Sequence, residues 1–368
     1  MGTRWTRGRA ILAIVAASLC FLFLAAGAWY YRYYTRPCTP LPALDINTMD
    51  SVFSATFVNE RCLVVGMSSG VRLFYVNGSA FSSAGRETPA HFADSVHVLG
   101  QDNVLAVGCY DSVDFWLIPP EDEWRPGGER DSNLAGGLLD RLKQGKYSIS
   151  FYSEKVEGGV TGAEKTVGSV TADQRTGRLF VDTFNDFRCY DLTVWPPKLV
   201  WTVPNERGAG SLAVSHDGNV LASSGKGVLR FWDAKTGAPM WSTKDLGGDI
   251  WDLAFSPADD AIAVGGKFDP PIQVFPLSRQ GPLAGKSLVG HKAGNGVCAL
   301  SFSPDGRLLA SGSSDGSVIF WNVSDYSIAR RIPCVNGQQV NVLAFSPSGS
   351  LLATAGGYDS HLKLWPVP

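Results

Sequence analysis

Two stretches carry the Gly-x-Ser-x-Gly spacing of a serine nucleophile held on a sharp turn: Gly66-Met67-Ser68-Ser69-Gly70 and Gly312-Ser313-Ser314-Asp315-Gly316. Such an elbow needs a strand before it and a helix after it, so that the hydroxyl stands clear of the backbone. Here a second strand-like run follows each copy, and hydrolytic chemistry is not expected. The five histidines, His91, His97, His216, His291 and His361, are widely separated, and none has a companion at metal-ligand spacing. No phosphate-cradling loop or paired-carboxylate pattern stands out. The sequence therefore implies no catalytic residue, no metal, no cofactor and no small-molecule substrate.

What recurs instead is an element. Seven copies of one pattern run from about residue 50 to the C-terminus, each a strand, a turn and further strands closing on an aromatic: Tyr75, Trp116, Tyr190, Trp232, Phe275, Trp321 and Trp365. Five of the six spacings are 41–46 residues, the exception being 74. A period near 40–45 residues with strand-like alternation marks a propeller blade. The expected fold is all-β: a seven-bladed β-propeller of four-stranded antiparallel blades over residues 37–368. The turn after each first strand is Ser-Pro-Asp-Gly or a variant (Ser215–Gly218, Ser256–Asp259, Ser303–Gly306, Ser346–Gly349), with proline presetting φ and glycine taking the positive φ of a tight hairpin. The last copy stops after its third strand. A ring cannot leave that edge bare, so Ala43–Ile46 is expected to supply the missing fourth strand. Residues 117–146 interrupt the second copy, with Pro119-Pro120-Glu121-Asp122-Glu123 at the start and a short helix expected around Leu134–Leu142. A long excursion from a compact repeat is either a recognition element or a solvated loop.

The chain has 368 residues and a net charge of −2. Residues 1–36 hold five arginines and no acid, which leaves 27 basic and 34 acidic residues, −7, for the rest. A mildly acidic domain without a basic stripe argues against nucleic acid. Ala10–Trp29 is apolar apart from Ser18, long enough to cross a bilayer as one helix, and is followed by Tyr30, Tyr31, Tyr33 and Tyr34 like an interfacial belt. Residues 1–36 thus read as a cytoplasmic stub plus a transmembrane signal-anchor helix, with the repeats outside the cytoplasm. The alternative is a signal peptide cleaved near Ala26-Gly27-Ala28. The scattered cysteines, Cys62, Cys189 and Cys298 among them, read as small buried thiols rather than a disulfide framework.

Gly290-His291, Ser311, Asp315 and Phe320-Trp321-Asn322 resemble the WD-repeat β-propellers. That resemblance implies a structural hydrogen-bond network of His291, Ser311, Asp315 and Trp321. Only the sixth copy holds all four residue types; Lys226 stands at the Asp position of the fourth, Asp269 and Asp359 at those of the fifth and seventh. It also implies a scaffold for protein partners without catalysis, contacted through the loops before each first strand: Asp249, Trp251, Asn295, Gln339 and Asn341. Trp251 is a hot spot if exposed, and packing between blades is the other reading. Asp233-Ala234-Lys235-Thr236-Gly237-Ala238-Pro239-Met240-Trp241 resembles the docking motif of quinoprotein-type propellers, yet occurs once and reads as a turn. The alternative function is a quinoprotein- or lactonase-like propeller binding a cofactor or metal on its axis.

Overall fold

The computed structural model describes residues 44–48, 50–77, 80–83, 95–99, 104–108, 112–117, 147–150, 167–173, 175–183, 186–194, 197–204, 210–332, 339–356 and 361–368. The apolar run 10–29, residues 118–146 of the insertion with its expected helix, and Asp359 lie outside them. No helix among the described residues is long and apolar enough to cross a membrane. The chain divides into Met1–Pro40 and Leu41–Pro368, and all that follows concerns the second unit.

Its strands form seven antiparallel sheets, an all-β propeller. The first runs Val52–Asn59, Cys62–Met67, Gly70–Asn77, Ala80–Ser83, and the second Ser95–Leu99, Val104–Gly108, Ser112–Leu117, Tyr147–Ser150. The third holds Ser169–Asp173, Arg178–Asp182, Asp186–Asp191, Lys198–Pro204, and the fourth Leu212–Val214, Val220–Gly225, Val228–Asp233, Pro239–Ser242. The fifth comprises Asp249–Phe255, Ala261–Lys267, Ile272–Ser278 and an outer edge split into Gly281–Pro282 and Lys286–Leu288. The sixth is Val297–Phe302, Leu308–Ser313, Val318–Asn322, Ile328–Ile332. The seventh joins Val342–Phe345, Leu351–Ala355 and His361–Pro366 to Leu44–Asn47, in the register Leu44↔Leu364 to Asn47↔His361. The closing strand therefore reaches Asn47, one residue past the expected end at Ile46, and Ala43 lies outside the described residues.

Second strands are buried on both faces: all six residues of Cys62–Met67 are inaccessible, whereas Lys198–Pro204, an outer strand, is largely exposed. The reason is lateral packing. Leu105 packs with Val64, Leu179 with Ala106, Leu221 with Phe180, Phe255 with Phe231, Leu309 with Ile272, Leu352 with Phe320, and Leu63 with Leu362. Each cluster joins one sheet to the next, and the last returns to the first. Full burial of one such side chain contributes about 1.5–3 kcal/mol.

Polar ties reinforce three levels of these seams. On the turn face, Asp259 takes the left-handed conformation usually left to glycine (φ 57°). Its carboxylate accepts the His216 and Asp217 amides of the neighbouring sheet, both at 2.8 Å. At the outer rim, the Trp201 indole donates to the Ala234 carbonyl at 3.2 Å and lies against Gly237, where a Cβ would come within 3.0 Å of the ring. Trp241 lies in the same way against Gly281 of the fifth sheet. Nearest the axis, Ser169 Oγ accepts from the Leu212 amide at 3.3 Å, and Ser211 donates to Asp252 at 3.4 Å.

Candidate functional site

The five expected contact residues lie at the N-terminal ends of the inner strands of three consecutive sheets. In the fifth sheet the ladder pairs Ile250 with Gly266 and Asp252 with Gly265, so Trp251 is the extra residue of a β-bulge. A bulge turns its surplus side chain out of the pleat. Trp251 is 37% exposed, while the covered side of its ring rests on Gly296 of the sixth sheet, where a Cβ would sit 2.8 Å from Cη2. The two readings of Trp251 thus combine: it packs between sheets and still presents a surface. Asp249 is exposed and stands opposite Lys267, also exposed. Asn295 is half-buried, donating to the Lys292 carbonyl of its own loop and accepting from Ser314 Oγ in the turn after the second strand of the sixth sheet, each at 3.4 Å. Gln339 and Asn341 are half-buried, and the Asn341 amide binds the Ala355 carbonyl at 3.0 Å.

Next to Trp251 lies a residue that the sequence pattern did not flag. Asp252 accepts hydrogen bonds from Ser211 Oγ of the fourth sheet at 3.4 Å, its neighbour's amide Leu253 at 2.9 Å, and the Leu300 amide of the sixth at 2.7 Å. One carboxylate thereby links three sheets. Burial pushes it up to about 6, against the opposing pull of those three bonds. An unfolded aspartate titrates near ~3.9, so this group's stabilisation is complete below that value and lost as pH rises through about 6. A shift of about two units corresponds to up to about 3 kcal/mol. Urea unfolding of wild type and Asp252→Asn from pH 4.5 to 8 should therefore show the variant gaining relative to wild type as pH rises. Parallel profiles would mean the carboxyl does not titrate there.

The network around His291 is present and larger than expected. The Trp321 indole donates to Ser311 Oγ at 2.8 Å, and Ser311 meets His291 Nε2 at 2.8 Å. His291 Nδ1 faces Asp315 Oδ2 at 3.4 Å and Ser317 Oγ at 3.1 Å. Ser317 is an unforeseen member, and it donates to Asp315 at 2.6 Å. With Trp321 donating to Ser311, the neutral ring is used fully when Nδ1 carries the proton and Nε2 accepts from the serine. The indole–hydroxyl half recurs without a histidine: Trp232 binds Ser223 Oγ and Trp365 binds Thr354 Oγ1, both at 2.8 Å. Lys226, at the Asp position of the fourth sheet, occupies a two-residue turn with Gly227, both at positive φ (45° and 74°).

The remaining chemical motifs resolve into structure. Gly66–Gly70 and Gly312–Gly316 each lie between two paired strands, without the helix an elbow requires. Among the described residues no cluster of His, Cys, Asp or Glu could hold a metal ion. Burial pushes His97 down to about 4, leaving it neutral at ordinary pH. Cys62 and Cys189 are buried thiols as expected; Cys298 is only half-buried. Asp233–Gly237 is a turn, with the Thr236 amide and hydroxyl both on Asp233 Oδ1. The indole on its glycine is Trp201 of the preceding sheet, not Trp241 of the motif itself.

Residues 198–233, 284–322 and 331–366 match the family described as WD domain, G-beta repeat. WD repeat and SOCS box-containing protein 1 of Takifugu rubripes is 33% identical over 102 residues, 28% of this chain and 23% of that protein. The WD repeat-containing protein 26 homolog of Drosophila melanogaster is 41% identical over 73 residues, 18% of this chain and 11% of its own length. Protein SPA1-RELATED 3 of Arabidopsis thaliana is 25% identical over 147 residues, 40% and 17% of the two chains. The chain therefore spans less than a quarter of each of these relatives. A chain in the crystal structure of the mitotic checkpoint complex shares the fold, with a TM-score of 0.67 and 20% identity over 90% of this chain and 96% of that one. Three matched repeats, the WD-repeat relatives and the antiparallel sheets together support a WD-repeat β-propeller.

Proposed function

We propose that this protein is a non-catalytic scaffold of seven blades whose partners are other proteins, bound at the mouth formed by Asp249, Trp251, Asn295, Gln339 and Asn341. We further propose that residues 10–29 tether it to a membrane, with the propeller on the extracytoplasmic side. The observation that carries the first reading is the bulge at Trp251, which leaves a large aromatic 37% exposed at the head of an inner strand. Aromatic side chains anchored on one face and open on the other are typical centres of binding energy. The WD-repeat relatives, one of them named for a SOCS box, point the same way. The tether rests on the length of the apolar run and its flanking arginines.

One preparation tests both. The full chain should stay with the membrane pellet through an alkaline wash and, after gentle solubilisation, bring down specific proteins. Trp251→Ala/Asn341→Ala should lower their recovery at least about tenfold, since a hot-spot truncation costs roughly 2 kcal/mol or more. Release by the wash refutes the tether, and equal recovery with both chains refutes the mouth.

A further inference from the structure

The outer rim between the fifth and sixth sheets carries the most exposed of the large apolar side chains described, Val289 at 75%, and Ile328 at 43%. Gly290, the next residue after Val289, packs against Ile328: a Cβ placed on it would lie 3.2 Å from Ile328 Cδ1. Near them stand Lys286, Lys292 and Arg331, all exposed, while Arg330 turns to the seam with the seventh sheet. Residues 280–292 contain no acid and residues 325–332 only Asp325, in a chain whose net charge is −2.

Lys286 and Arg331 are held by main-chain carbonyls, and the Asp325 carboxylate is the acid that lies near Lys286. Lys286 Nζ donates to the main-chain carbonyl of Asp325 at 2.7 Å and lies 4.9 Å from the centre of the Tyr326 ring. Arg330 donates to the Pro366 carbonyl at 2.9 Å, and Arg331 to that of Gly290. Among the described residues none of the four lies in a salt bridge. Tyr326 itself sits at φ 61°, where the equivalent turn of the fourth sheet has Gly237 at φ 73°. A left-handed conformation is unfavourable for tyrosine, and here it places the ring beneath an ammonium group. At the two preceding seams a tryptophan of one sheet crosses to a glycine of the next; at this one Lys286 makes the crossing instead, and a cation is held at the surface.

We propose that this rim is a second interaction surface, separate from the mouth, for an acidic segment of another protein that carries a bulky apolar side chain. Its carboxylates would meet Lys286, Lys292 and Arg331 while the apolar group covers Val289 and Ile328. Charge complementarity selects this occupant, since a basic or purely apolar segment would leave a local excess of about two positive charges, Lys286, Lys292 and Arg331 less Asp325, unopposed.

The experiment uses the full chain with the photo-crosslinker p-benzoylphenylalanine at Ala329, exposed on the same rim, illuminated in the source cells, and sequencing of the attached peptide. The expected adduct is a protein segment with net negative charge and a large apolar residue. Its yield should fall at least about fivefold with Lys286→Glu/Arg331→Glu and in ~0.5 M salt. Val289→Glu, too exposed to perturb folding, should act likewise, and Trp251→Ala/Asn341→Ala should have no effect. A neutral or basic segment, a lipid adduct, indifference to charge reversal, or no adduct would each overturn the proposal.

Discussion

Deletion of residues 37–47 should abolish the single cooperative melting transition and lower Tm by roughly 10 °C or more. Leu44–Asn47 pairs through four registered positions with His361–Pro366. A ladder of four pairs carries up to about four backbone hydrogen bonds, at about 1 kcal/mol each about 4 kcal/mol, and at roughly 2–4 °C per kcal/mol the shift is about 10 °C. The indirect effect is larger. Without the closing strand, the seam where Val52, Leu63 and Phe74 pack with Val342, Leu362 and Leu364 loses its lateral restraint. An unpaired edge also invites association. Calorimetry should then show a broadened or split transition, and sedimentation should show oligomers. A sharp, unshifted transition in a monomer would mean that the ring holds itself shut.

The second large effect is expected from His291→Ala. Truncation strips Ser311 and Ser317 of a shared partner and removes a bond from Asp315, with a void left beside Trp321. Buried polar groups deprived of a partner and the accompanying cavity together cost about 3–5 kcal/mol. The pH dependence has a definite sign. Although burial alone would raise the Asp315 carboxyl, its bonds with His291, the Lys292 amide and Ser317 hold it well below the ordinary carboxylate range. Stabilisation from this group is therefore present above about pH 4 and lost as pH falls through its lowered value. Removing His291 weakens that depression, so acid unfolding should begin at a higher pH as well. Circular dichroism across pH 2–7 would check both. A variant with wild-type Tm and acid midpoint would show that Ser311 and Asp315 satisfy themselves without the imidazole.

Much of the architecture could be read from the repeat because every seam needs the same things. A tight turn requires Ser-Pro-Asp-Gly, crowded second strands require small residues, and each inter-sheet cluster requires an aromatic or branched partner. The closing strand was legible for a related reason: a truncated final copy leaves an edge that something must cover. Asp252 was not legible. The residues that stitch inner strands are Ser169, Ser211 and Asp252, which share hydrogen-bonding capacity but no common identity. In addition, the bulge that fixes the pairing of Asp252 leaves no local mark in the sequence. Ser317 escaped notice because it follows the recognised Asp315 by two residues, inside a turn where serine is unremarkable. The rim at Val289 and Ile328 was invisible for the opposite reason, since its two halves are some forty residues apart and meet through contacts such as Gly290 with Ile328 and Lys286 with Asp325.

Closure by Leu44–Asn47 also dictates a timetable. A ribosome makes that strand early and its mate His361–Pro366 about three hundred residues later. Until then the early strand has nothing to pair with, and the first sheet lacks the neighbour on its seventh-sheet side. The emerging polypeptide must pass through biogenesis as an open fan, its final latch thrown only near completion. Chaperone dependence should accordingly concentrate in that interval rather than in the assembly of any one sheet.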